Sequence, residues 1–217
     1  MMGGLSKMKM YHYTNPEAYR EMKKESPGRE GLSPLTCMLI PRYEGPDWPM
    51  SSSIRSIKGL LEPEPESWKE NKEFPFLWVR LMNSFFINSD ELMLLSCEIL
   101  PKDDAYITDR ANIERELYRE GREGTTTNER LAAAFEKYWG ERVPALEYQG
   151  GFELPQFEVL TPIEFERLNV EWVSKTKWRE IYDLAKKQEE EAHKKKGETQ
   201  VLPAELVLEQ IKELDLR

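Results

Sequence analysis

The chain has 217 residues, 31 of them basic and 40 acidic, giving a formal charge of −9 and a pI near 5.1. Hydrophobic residues make up 39 % and charged residues 33 %, against a charged share of about 25 % in typical globular chains. That apolar share builds a core at this length, which excludes wholly disordered, collagenous and disulfide-stapled chains and predicts one domain with an appendage. The acidic balance lacks the Lys and Arg footprint that phosphate backbones require, so nucleic acid is a poor partner.

Two cysteines, Cys37 and Cys97, lie in apolar stretches with no CxxC pairing. The expectation is two reduced core thiols and no zinc site. Met1 to Met10 carries two lysines and no apolar run of the kind a targeting signal needs. The most apolar stretch, Phe74 to Ile87, is broken by Pro75, Arg80, Asn83 and Ser84, short of the ~20 apolar residues of a membrane span. These features predict a soluble cytoplasmic protein with no membrane association, and the blocks of Glu and Lys suit a thermophilic composition.

Met8 to Tyr13 is short, aromatic and bounded by turn residues, which predicts a first strand. Asn15-Pro16-Glu17 is a helix start, with an Asn cap, proline at the first helical position and an acid at the positive end. That helix should run to about Glu25 and stop at Ser26-Pro27-Gly28, with a strand from Thr36 to Ile40 beyond Gly31-Leu32-Ser33-Pro34. Between Pro41 and Pro65 the chain is rich in Pro, Gly and Ser and reads as a long binding loop. Ile54 to Leu61 is its one regular piece, and Ser51-Ser52-Ser53 reads as the N-cap.

Phe76 to Phe86 fits a buried helix or a strand equally well, while Leu92 to Leu100 reads as a strand ended by Pro101-Lys102-Asp103-Asp104. Tyr106 to Thr108 follows as the returning strand. Asp109 then caps a helix through Glu120, with Ile113 and Leu117 on one face, and a further helix spans Glu129 to Trp139 before Gly140. Phe157 to Leu160 and Val170 to Val173 are strand candidates. Beyond Lys177 the composition shifts to a charged helix, Trp178 to Lys196, and a final amphipathic helix from Pro203. These helices are either solvated and docked on the body or an arm for a protein partner or self-association. Strands and helices without regular βαβ spacing argue for an α+β fold.

Among the residues that carry chemistry, His12 stands out, because the other histidine, His193, lies in the Lys- and Glu-rich helix. Tyr11-His12-Tyr13-Thr14, followed by a helix and Gly31-Leu32-Ser33-Pro34, resembles the opening of ADP-ribosyltransferase-fold proteins. In that superfamily a strand with His-x-Thr precedes a helix and a Gly-Leu-x-Pro turn. Leu154 to Ile163 is similar to the late strand of the same superfamily, where a glutamate stands ahead of a Pro-Ile exit. Gln156-Phe157-Glu158 has the Gln-x-Glu spacing of some members, and strand alternation puts Gln156 and Glu158 on one face. Members also place a Ser-Thr-Ser run or a tyrosine on a second cleft strand, for which Ser51-Ser52-Ser53 and Tyr43 are the candidates here.

The resemblance implies a split mixed or antiparallel sheet with flanking helices over residues 1–176 and a helical extension over 177–217. It implies an enzyme that uses NAD as substrate, breaks the nicotinamide–ribose bond and passes ADP-ribose to an unknown acceptor. Glu158 would hold the ribose 2′-hydroxyl and stabilise the developing positive charge, with His12, Tyr13, Thr14 and Gln156 at the NAD. Arg42 and Arg55 flank the loop and suit pyrophosphate as bidentate donors. No metal is expected. The plain structural reading of Glu158 is an exposed acid on an edge strand. The functional alternatives are a non-catalytic ligand- or protein-binding domain of that fold and a nucleic-acid end-modifying relative, which the charge of −9 opposes.

Overall fold

A computed structural model describes residues 8–24, 31–32, 35–36, 55–74, 77–83, 91–116 and 128–177, together with positions 180, 183, 184 and 187. Strand β1 (Met8–Thr14) leads into helix α1 (Pro16–Lys24), and the Ala18 amide donates to Asn15 Oδ1 at 2.8 Å. The expected Asn cap is therefore in place. Short strands β2 (Gly31–Leu32) and β3 (Leu35–Thr36) precede β4 (Arg55–Gly59), helix α2 (Glu66–Lys69) and helix α3 (Leu77–Asn83). Next come β5 (Leu92–Ile99), β6 (Ala105–Asp109), a helical segment at 111–116 and helix α4 (Asn128–Gly140). The remaining strands are β7 (Val143–Pro144), β8 (Pro155–Val159), β9 (Ile163–Glu164) and β10 (Asn169–Ser174).

The described strands pair antiparallel throughout, in a three-stranded sheet β1–β5–β10, a five-stranded sheet β3–β4–β8–β6–β7 and a small β2–β9 pair. Helices and antiparallel sheets together make the fold α+β. The two larger sheets meet where Tyr11 and Leu60 exchange backbone hydrogen bonds of 2.9 and 2.8 Å. Close approach at this joint needs a glycine. A Cβ on Gly59 would lie 2.6 Å from Met10 Sδ and 3.1 Å from the Tyr11 carbonyl oxygen.

Alternation along the strands sorts the side chains into layers. Met10, Met93, Leu95, Cys97 and Ile99 from the three-stranded sheet pack with Ile57, Ile107, Phe157 and Val159 from the five-stranded one. On the outer face of the three-stranded sheet, Tyr13, Leu92 and Leu94 pack with Trp68 of α2 and with Leu77, Trp78 and Met82 of α3. The outer face of the five-stranded sheet carries Ser56, Lys58, Thr108, Gln156 and Glu158, and α4 covers it by Leu131, Phe135 and Tyr138 with Ile113.

Two expectations change. Residues 55–59 form strand β4 and no capped helix, because Ile57 must reach the inter-sheet core while its neighbours Ser56 and Lys58 face the other way. Strand β6 does not return along β5; it crosses to pair with β8 and β7. The undecided stretch around residue 80 is helical. Cys97 is buried, and burial pushes its thiol up to about 11. Cys37, Arg42, Tyr43, Ser51 to Ser53, His193 and the helix from Pro203 lie outside the described residues. No described helix is long and apolar enough to cross a membrane.

Candidate functional site

The chemistry-bearing residues gather where β1, β4 and β8 run side by side. Strand β8 enters this row under tight control. Asp109 Oδ1 accepts the Ala111 and Leu154 amides at 3.1 and 3.0 Å, and its Oδ2 accepts the Glu153 amide at 3.1 Å. The Arg110 amide donates to the Leu154 carbonyl at 2.9 Å. Gly150 and Gly151, at φ 97° and 103°, make the preceding turn in a region that side chains disfavour. One aspartate thus caps the 111–116 segment and sets where Gln156 and Glu158 fall.

Glu158 lies in the interior of its sheet, between Lys58 of β4 and Tyr106 of β6, and is 0 % exposed. It is no edge-strand surface acid. A buried carboxylate is costly without partners, and Glu158 has three: Ser56 Oγ donates to Oε2, while Lys58 Nζ and the Tyr138 hydroxyl donate to Oε1. The Tyr138 hydroxyl also stands 3.4 Å from Gln156 Oε1, and Thr108 Oγ1 donates to the Gln156 carbonyl at 3.3 Å. Burial, reinforced by the Glu158 charge, pushes the Tyr138 phenol well above its usual range, and the Arg110 guanidinium opposes this. Tyr138 is accordingly a hydrogen-bond donor at neutral pH. Arg110 forms a buried ion pair of 2.7 Å with Glu114.

His12 joins the row from β1. Its Nδ1 is 2.7 Å from the Lys58 carbonyl oxygen, and a carbonyl only accepts, so Nδ1 carries the proton. Burial lowers the His12 pKa from 6.5 despite that hydrogen bond, which leaves the neutral ring with Nε2 as an acceptor. The carbonyl it holds belongs to the stretch of β4 between the β3 pairing at residues 55–56 and the bridge to β1 at Leu60. Lys58 is therefore held at both ends, its carbonyl by His12 and its ammonium by Glu158, with a side chain 25 % exposed.

Of the expected site residues, the structure links His12, Gln156 and Glu158 through Lys58 and Tyr138, and it buries Thr14 at the end of β1. Tyr13 is separated from them. It faces the opposite side of β1, packs edge-on at 5.8 Å against Trp78 and Trp172, and donates its hydroxyl to the Pro63 carbonyl at 2.6 Å. Comparison with protein-family models, with curated proteins and with solved structures gives no match.

Ser56, Lys58 and Tyr138 complete the site and were not among the sequence candidates. The signal for the first two is the Ser56-Ile57-Lys58 alternation, which gives a strand one polar face. For Tyr138 it is the stripe Leu131, Phe135, Tyr138 along one helix face, since a buried tyrosine hydroxyl needs a partner. No cluster of three or more His, Cys, Asp or Glu able to hold a metal occurs among the described residues.

Proposed function

We propose that the chain is an ADP-ribosyltransferase-like enzyme that cleaves the nicotinamide–ribose bond of NAD and transfers ADP-ribose to an acceptor. The supporting observation is the chain of contacts His12–Lys58–Glu158 across three neighbouring strands. It puts the His-x-Thr opening, a second strand and the late-strand glutamate in one row. In this reading the bond breaks through an oxocarbenium-like state whose electron pair leaves with nicotinamide. The Glu158 carboxylate accepts the ribose 2′-hydroxyl and stabilises the positive charge that develops at the anomeric carbon. His12, with Nε2 free to accept, and Thr14 hold further hydroxyl and amide groups of the dinucleotide. Tyr13 stands apart from this row, on the opposite face of β1 with its hydroxyl on the Pro63 carbonyl.

The test is calorimetric titration of the full chain with NAD, with nicotinamide release followed in the same sample. Release is expected from the native chain. Glu158→Gln should lower it by at least about a hundredfold, as removal of one electrostatic stabiliser does, while circular dichroism shows the fold retained. Turnover that survives this change removes Glu158 from the reaction.

A second reading has its own support. Glu158 is enclosed and already holds three donors of its own chain, as in a non-catalytic domain of the same fold that binds a ligand or a protein. NAD binding without nicotinamide release favours that reading.

A further inference from the structure

Two of the three donors on Glu158 are hydroxyls, Ser56 Oγ and the Tyr138 phenol, one on each carboxylate oxygen. A ribose diol would make the same pair of contacts, so the chain fills its own candidate site with groups of the ligand's chemistry. The two hydroxyls stand on unequal supports. Ser56 belongs to β4, which is stitched to β3 on one side and to β8 on the other. Tyr138 is carried by α4, whose apolar contacts with Ile113 form a small cluster apart from the two main cores. Lys58 Nζ stands over the Tyr138 ring at 5.9 Å, and further ties of α4 and its exit lie at the rim, among them the Arg130–Glu116 pair at 3.7 Å. Asn112 Nδ2 donates to Glu141 at 3.2 Å, and the Arg142 guanidinium stacks over Trp139 at 4.5 Å and Tyr106 at 5.2 Å.

We propose that Tyr138 is an autoinhibitory stand-in for the ligand: its hydroxyl occupies the place on Glu158 that a ribose hydroxyl takes, and α4 shifts outward to admit it. The proposal rests on the ADP-ribosyltransferase reading of Glu158. The exchange gives up one O–H···carboxylate bond and gains another, so opening costs the buried packing of the Tyr138 ring and its contact with Gln156. That cost is subtracted from the affinity for any ligand. Deleting the hydroxyl alone removes the bond that the ligand must otherwise replace, so the ligand's bond to Glu158 becomes a net gain while the ring stays in place.

Tyr138→Phe should therefore bind NAD about tenfold more tightly than the native chain, the effect of one net hydrogen bond to a charged group. In the native protein, saturating NAD should accelerate hydrogen exchange of the backbone amides of residues 128–140. Unchanged or weaker NAD binding by a folded Tyr138→Phe overturns the proposal. So does bound NAD with α4 amides as protected as before, a result that does not depend on the variant folding. The two levels separate cleanly: no NAD binding by either form removes the underlying reading, whereas NAD bound beneath an undisturbed α4 removes only the autoinhibition.

Discussion

Lys58 shows how one side chain can belong to both architecture and chemistry. Its carbonyl completes the joint between the sheets by taking His12 Nδ1, and its ammonium balances the buried Glu158 charge. Removing His12 consequently has two separable effects. His12→Ala takes away the Nε2 acceptor and should weaken NAD binding about tenfold, measured by calorimetry; unchanged affinity would make His12 a joint residue alone. The neutral ring also makes stability depend on pH. Because the folded-state pKa lies below 6.5, the contribution of neutral His12 is fully present above 6.5 and is lost as pH falls from there through the lower folded-state value. In the sequence, His12 and Glu158 were legible as residue types in a motif. Lys58 was not, because nothing local distinguishes a lysine pinned at both ends from one in solvent.

Elements with strong local signals matched their expectations: α1 carries its Asn15 cap, and β5 alternates between two buried faces. Strand β4 departs from the local expectation because Lys58 and Gly59 are weak strand formers; its pairing with β3 and β8 comes from tertiary structure. Gly59 shows how closely that pairing is fitted. In Gly59→Ala the new methyl meets Met10 and the Tyr11 carbonyl. The variant should lose about 1–3 kcal/mol of stability, the usual range for overpacking a core, read by urea denaturation. A change under a few tenths of that would mean the joint yields easily. Helix α4 was found by its end signals, yet its role over Glu158 was not, since amphipathicity reports that a face is covered and not by what.

For the whole molecule, the α+β class followed from the order of elements, whereas the crossing of β6 into the second sheet did not, because strand partners far apart in sequence leave no local trace. Surface charge sets the acid limit. Against the upward pull of burial, Arg167 holds the Asp103 carboxyl below 3.8 and Lys177 with Lys69 holds Glu64 below 4.5. Hydrogen bonds from Lys9 and Ser96 lower Glu171, and those from Lys102 first, then a backbone amide and Arg167, bring Glu164 to about 2. Each depressed carboxyl favours the folded state above its unfolded pKa, and that help fades as pH drops through the folded value. Scanning calorimetry should thus show a melting temperature that falls steeply below about pH 4, and a flat profile from pH 5 to 2 would refute this account. The three-stranded sheet has a consequence for synthesis. Strand β1 is made before its partner β5, which arrives only with residues 92–99, and β10 completes the sheet at Ser174. Until then β1 is tied to the chain through the Tyr11–Leu60 bridge while its own sheet is incomplete, so nascent chains stalled before residue 92 should depend on chaperones.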